Sequence, residues 1–240
     1  MRGVSRLGVL TCVIAGGLWL GVGRAQAKAT PEQQCQAGRY KAAATYASCV
    51  QKLLAKDAAG TASKFEDAFV KCVAKYAAVW PKLQKKAKGT GATCDAARLV
   101  ANNDGTVTDN LTALLWEQKT DDGGIHDKDN RPTWSASGAA ADGGVFTGFL
   151  ATLNGACFAG QCDWRLPTLT ELATLIETPC ATDACVDAIF GATPPFFDLY
   201  WSASTDVFFA TQAWGVQSSA GVTGRGKQGM EFVRAVRGGL

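Results

Sequence analysis

Asp163-Trp164-Arg165-Leu166-Pro167-Thr168-Leu169-Thr170-Glu171-Leu172 is the stretch on which the fold of this chain turns. Thr168 followed three residues later by Glu171 is a capping box, which marks the first turn of a helix. Leu169, Leu172, Leu175 and Ile176 supply one apolar face, so a short helix lying on a core is predicted just after Pro167. Trp164 belongs to that core, and Arg165 is expected to form a structural ion pair or to cap backbone carbonyls.

On either side the pattern is that of short strands. Arg98-Leu99-Val100 and Thr106-Val107-Thr108 flank Asn102-Asn103-Asp104-Gly105, a set of turn formers that reads as a hairpin loop. Ala113-Leu114-Leu115-Trp116 reads as a buried strand. Residues 119–144 form a loop rich in Gly and Asp, Phe146 to Asn154 a short helix, and Tyr200 to Arg237 a set of strands. Trp116, Trp164, Trp201 and Trp214 are assigned to the core, and the class is α+β.

Five blocks carry a family resemblance: Asn103 to Asn110, Leu114 to Trp116, Asp163 to Thr168 with Glu171-Leu172, Tyr200-Trp201-Ser202, and Val233 to Arg237. In this order they resemble the Lcl C-terminal domain family over about residues 95–240. The motif residues are Asp104, Gly105, Thr106, Asp109, Trp116, Trp164, Arg165, Leu166, Pro167, Glu171, Trp201, Arg234 and Arg237, and a structural role is expected for them. Ala113 departs from the family, which usually has Gly there, and the loop from Lys119 to Gly144 is longer and more acidic than usual. The resemblance implies a C-type-lectin-like fold in exported proteins, some of which are adhesins that bind sulfated polysaccharides. The Trp164 to Glu171 segment is also similar to formylglycine-generating enzymes, which use a copper-binding cysteine pair near the C-terminus. This chain has no cysteine after Cys185, so that oxidase reading ranks last, and no catalytic residue is assigned.

The first 94 residues lie outside the resemblance. Arg2 and Arg6, an apolar run from Leu7 to Val22, and Ala25-Gln26-Ala27 have the layout of a signal peptide, residues 1–27, cleaved after Ala27. A secreted, periplasmic or cell-envelope location follows, and no later stretch is long and apolar enough to span a membrane. Residues 28–94 read as a basic, Cys-rich helical hairpin: one helix from Glu32 to Leu54, a second starting near Ser63 as N-cap with Glu66 three residues on, and a turn about Gly60. The chain is expected to leave the second helix after Trp80-Pro81. Residues 95–240 then form the third segment.

Nine cysteines become eight when Cys12 leaves with the signal, and an even number in an exported chain reads as disulfides. Antiparallel helices folded about Gly60 bring Cys49 beside Cys72. Cys35 lies fourteen residues earlier on nearly the same face, within reach of Cys94 once the chain loosens at Gly89 and Gly91. Cys157 with Cys162 and Cys180 with Cys185 are expected as local bridges, in preference to a four-thiolate zinc site.

Charge divides the mature chain. Residues 28–94 hold eleven lysines and one arginine against four acids, an excess of eight positive charges, and residues 95–240 carry an equal negative excess. The hairpin is therefore expected to be a separable unit that docks weakly and electrostatically on the acidic region. Lys82, Lys85, Lys86 and Lys88 form the densest basic patch, suited to a polyanion, to the acidic region, or simply to solvent. Export and the near-neutral total argue against nucleic acid.

In the acidic loop, Asp127, Asp129 and Asn130 are candidate calcium ligands, with a solvated loop as the alternative; no other cofactor is expected. His126 is the single histidine and is read as solvated. The functional reading is a non-enzymatic binding or adhesion module for a glycan or other cell-surface ligand. A structural or protein-interaction component of the envelope is the alternative. Intact mass and thiol titration of the exported protein should show loss of residues 1–27 and no free thiol; two or more titratable thiols would contradict the four-bridge expectation.

Overall fold

A computed structural model describes residues 28–60, 64–177, 185–194, 199–217 and 221–239. Residues 1–27, the expected signal peptide, lie outside them. The long helix α1 spans Pro31–Ala58, with Pro31 in its first turn and a capping box in which Thr30 and Gln33 satisfy each other's backbone N–H. Helix α2 spans Phe65–Ala77 and α3 spans Trp80–Ala87. The structure pairs Cys35 with Cys94 and Cys49 with Cys72. Bridges closing 59 and 23 residues of chain each contribute roughly 3 to 4 kcal/mol.

Two details of the hairpin differ from expectation. The N-cap of α2 is Lys64, in the left-handed region at φ 64° and without a side-chain cap, while Ser63 lies outside the described residues. With Phe65 as the first helical residue, Glu66 falls one position short of the place from which a capping box can close. The chain also does not leave the helical region at Trp80-Pro81. Pro81 lacks an N–H and so fits the first turn of a new helix, α3. Gly38 has no side chain where α3 crosses α1, and a methyl there would overlap Leu83. After α3, Gly89 and Gly91 take positive φ and a 3-10 turn at Thr93–Asp95 returns Cys94 to α1.

The remainder is mixed α+β. Strands β1 (Leu99–Ala101), β2 (Thr106–Asp109), β3 (Leu114–Glu117) and β7 (Val236–Gly238) make one antiparallel sheet in the order β1-β2-β3-β7. Strands β4 (Leu199–Thr205), β5 (Gln212–Gln217) and β6 (Val222–Gly226) make a second antiparallel sheet. A π-helical turn at Val145–Leu150 leads into α4, Ala151–Gly155. Helix α5, Leu169–Ala173, carries the Thr168/Glu171 capping box, but it ends before Leu175 and Ile176, which are buried in the turn that follows. Cys157 pairs with Cys162. Cys185 is disulfide-bonded, and its expected partner Cys180 lies outside the described residues.

The expectation of weak electrostatic docking is corrected here. One continuous apolar core runs from Tyr46, Val50, Phe69, Val73 and Tyr76 on the helices to Leu114 and Trp116 on β3, Leu172 on α5, and Val216 on β5. Phe65 packs on Trp214 with ring centroids 5.8 Å apart, Tyr46 Oη donates to Thr170 O at 2.9 Å, and Arg39 Nε donates to Leu111 O at 3.3 Å. No ion pair between described residues joins residues 28–94 to the rest. Apolar burial outweighs the charge difference because exposed pairs are worth at most about 1 kcal/mol each, whereas a buried large side chain is worth about 1.5 to 3 kcal/mol. Phe69 is fully buried. We expect Phe69→Ala to cost about 3 to 5 kcal/mol in denaturant unfolding followed by tryptophan fluorescence, to which Trp116, Trp134, Trp164, Trp201 and Trp214 contribute from outside the helices alongside Trp80 of α3. An unchanged midpoint would contradict the shared core.

Candidate functional site

The motif residues form a framework of buried rings and paired charges. Asp104 accepts from Thr106 N at 3.0 Å and so closes the β1–β2 turn, where Gly105 has φ 83° and faces Phe158. Asp109 is fully buried, accepting from Arg98 Nε at 3.2 Å, from Arg98 Nη2 at 2.9 Å and from Leu111 N. Arg165 holds Glu171 through two bonds of 2.8 and 2.7 Å and also donates to the carbonyls of Leu166 and Gly238, so it both pairs and caps. Arg237 pairs with Asp163 at 2.6 Å. Trp116, Trp164, Trp201, Leu166 and Pro167 are buried; Trp164 donates to Phe158 O and Trp201 to Pro132 O. Trp214 is half-buried against Phe65 rather than enclosed.

Residues 105–237, just over half of the chain, match the family model of the Lcl C-terminal domain. The chain belongs to the Lcl C-terminal domain family. No curated protein and no solved structure matches it.

Inside this Lcl C-terminal domain a buried polar cluster joins the motif residue Arg234 to Glu117, Lys119 and His126, which motif reading did not single out. Glu117, at the end of β3, is fully buried; its Oε1 accepts from Lys119 Nζ at 2.9 Å and pairs with His126 Nδ1 at 2.8 Å, and its Oε2 accepts from Ala235 N at 2.9 Å. Arg234, also buried, donates to the carbonyls of Glu117 and Phe190, both at 2.8 Å. His126 is therefore not solvated as expected: its side chain is 23% exposed and its ring lies 4.2 Å from that of Phe158. Two charges at i and i+2 in Glu117-Gln118-Lys119 share one side of an extended segment, which is the sequence signal that was available.

Burial by itself would raise the Glu117 pKa, but the Lys119 ammonium and the donors His126 and Ala235 N–H hold it below its ordinary value. The carboxylate is enclosed and its oxygens are occupied, so it fixes the Lcl C-terminal domain's loop to β3 and β7 instead of facing a ligand.

The acidic loop differs from the expected calcium set. Carboxylate oxygens of Asp121, Asp127 and Asp129 lie within 4.8 Å of one another. Asn130 instead folds its amide nitrogen onto the carbonyls of Gly124 and Ile125. Lys128 Nζ sits at 2.9 Å from Asp121 and 2.7 Å from Asp129, and both oxygens of Asp127 accept backbone N–H groups, from Gly123 and Asp129. The donors on Asp129 N and Gly123 N lower the Asp127 pKa. A calcium ion using these carboxylates would have to displace the Lys128 ammonium, because the two cations compete for the same oxygens.

The basic patch is open. Lys82, Lys85, Lys86 and Lys88 are all exposed at α3, and none forms an ion pair with a described residue. Lys82, Lys85 and Lys86 recur at helical spacing on one side, while Trp80 and Ala87 are buried on the other.

Glu117 generates two expectations. Its folded pKa is depressed, so its contribution is present above the unfolded value of 4.5 and is lost as pH falls through the lower folded value. Glu117→Leu should cost about 3 to 5 kcal/mol because it leaves Lys119 buried without its counter-charge, and adding Lys119→Met should recover most of that loss. Denaturant unfolding of the single and double variants measures both; a double variant no more stable than the single would contradict the pairing.

Proposed function

We propose that this chain is an exported, non-enzymatic binding module of the cell surface or envelope that recognises an anionic polysaccharide through the lysine face of α3. The observation that carries this reading is the exposure of Lys82, Lys85, Lys86 and Lys88, without carboxylate partners among the described residues, on a helix fixed by the Cys35–Cys94 bridge and the core. A row of ammonium groups carried on a fixed helix attracts a polyanion at long range, and the backbone beneath them need not be ordered on binding, although each lysine side chain that is immobilised costs about 0.5 to 1.5 kcal/mol. Three further features support it: membership of the Lcl C-terminal domain family, the disulfides, which fit an oxidising compartment, and the signal-like segment 1–27. No helix among the described residues is long and apolar enough to cross a membrane. A C-type-lectin-like architecture for residues 95–240 is part of the proposal.

A glycan array with the mature, oxidised protein, followed by titration of a heparin-type polyanion at low and physiological salt, tests the reading. We expect replacing all four lysines with glutamine to weaken polyanion binding by about tenfold or more and to flatten its salt dependence, given screening over about 8 Å at physiological ionic strength. Unchanged affinity in the variant would move the site elsewhere, and co-purification of one envelope protein without any glycan signal would favour a protein-interaction role.

A further inference from the structure

Between α4 and the Trp164-Arg165-Leu166-Pro167-Thr168 segment the chain makes a six-residue loop, Cys157-Phe158-Ala159-Gly160-Gln161-Cys162, closed by its own disulfide. Both of its cysteines are exposed. Cys35, Cys72, Cys94 and Cys185, by contrast, are buried and Cys49 is half-buried, so every other bridge that the described residues show has at least one cysteine shielded from solvent. Thiol–disulfide exchange requires a thiolate to reach a sulfur, and access therefore singles out the Cys157–Cys162 bridge.

The loop's backbone is held in a conformation that its residues do not favour. Cys157 and Ala159 take φ of 46° and 50°, in the left-handed region that residues other than glycine rarely occupy, and Gly160 follows at 72°. Between them, the Phe158 ring has its centroid 4.2 Å from that of His126 and 5.2 Å from that of Trp164, and it lies where a methyl on Gly105 would meet it at 3.1 Å. Its carbonyl accepts from Trp164 Nε1 at 3.0 Å. Phe158 thus joins the β1–β2 turn, the motif tryptophan and, through His126, the buried Glu117. The ends of the loop are tied a second time: Asn154 accepts from Trp164 N at 2.7 Å and donates to Trp164 O at 2.9 Å, so they stay together without the bridge.

We propose that Cys157–Cys162 is a redox-modification site, opened by a dithiol reductant, that controls how firmly Phe158 holds the acidic loop at His126. One thiolate of the reductant attacks one sulfur of the bridge, giving a mixed disulfide and releasing the other cysteine as a thiol; the reductant's second thiol then displaces the first cysteine. The reductant leaves as its own disulfide, having lost two electrons and two protons, and Cys157 and Cys162 gain both as thiols. Freed of the bridge, Cys157 and Ala159 return to backbone conformations that their side chains favour, which carries Phe158 away from His126, while Asn154 confines the change to the loop. The site shares no residue with the lysine face of α3 and does not rest on its reading as a polyanion surface.

Graded dithiothreitol under native conditions, with maleimide trapping and peptide mapping of the trapped thiols, tests the access. The first two thiols should be Cys157 and Cys162, at a reductant concentration at least about tenfold below that which opens Cys35–Cys94 or Cys49–Cys72. Hydrogen exchange on protein reduced to this stage should rise at least about tenfold over residues 120–130, with α1 and α2 unchanged. Cys157→Ser with Cys162→Ser should show the same rise without any reductant. First thiols from another bridge, or unchanged exchange over residues 120–130 in either the reduced protein or the variant, would overturn the proposal. So would loss of protection throughout both sheets on opening this one bridge, since it would then hold the fold and not the loop.

Discussion

The helical region cannot bury its own apolar face. Tyr46, Val50, Phe69, Val73 and Tyr76 line one side of an α1–α2 pair, and two helices enclose too little volume to keep five such side chains from water. Their solution is to lie against α5 and the inner faces of the two sheets, where Leu172, Leu114 and Val216 complete the core. The bridges Cys35–Cys94 and Cys49–Cys72 then act on one folded unit, limiting the helices' freedom when they leave that surface. Neither the opposite net charges of the two regions nor any ion pair between described residues is needed to hold them together.

The motif residues serve the framework. The family motif is spent on architecture: Arg98 with Asp109, Arg165 with Glu171, and the enclosed rings of Trp116, Trp164 and Trp201 leave few polar atoms free for a ligand. Glu117 belongs with them, since it ties Lys119 and His126 of the acidic loop to the backbone of β7's approach at Ala235. The lysines of α3, outside the family segment, and the apolar side chains of the β4–β5 turn, within it, are exposed instead.

Local chemistry was legible in the sequence, and long-range packing was not. The Thr168/Glu171 capping box depends on four consecutive positions, and the cysteine pairs around Gly60 follow from helical periodicity, so both could be read directly. Lys64 in place of Ser63 as N-cap turned on a single left-handed residue that propensity does not favour. Helix α3 was hidden because Trp80-Pro81 reads equally well as an exit or as a first turn. His126 looked solvated because its partner Glu117 is nine residues away across a loop whose course periodicity does not specify. The shared core was concealed by net charge, a property of whole segments that says nothing about where their apolar faces meet.

Native-state hydrogen exchange on the mature, oxidised protein tests this shared core most directly. The slowest amides of α1 and α2, around Val50, Phe69 and Val73, should exchange with the same opening free energy as those of Trp116 and Val236 in the first sheet. Helical amides that exchange through an opening of far lower free energy, while the sheet stays protected, would contradict the account.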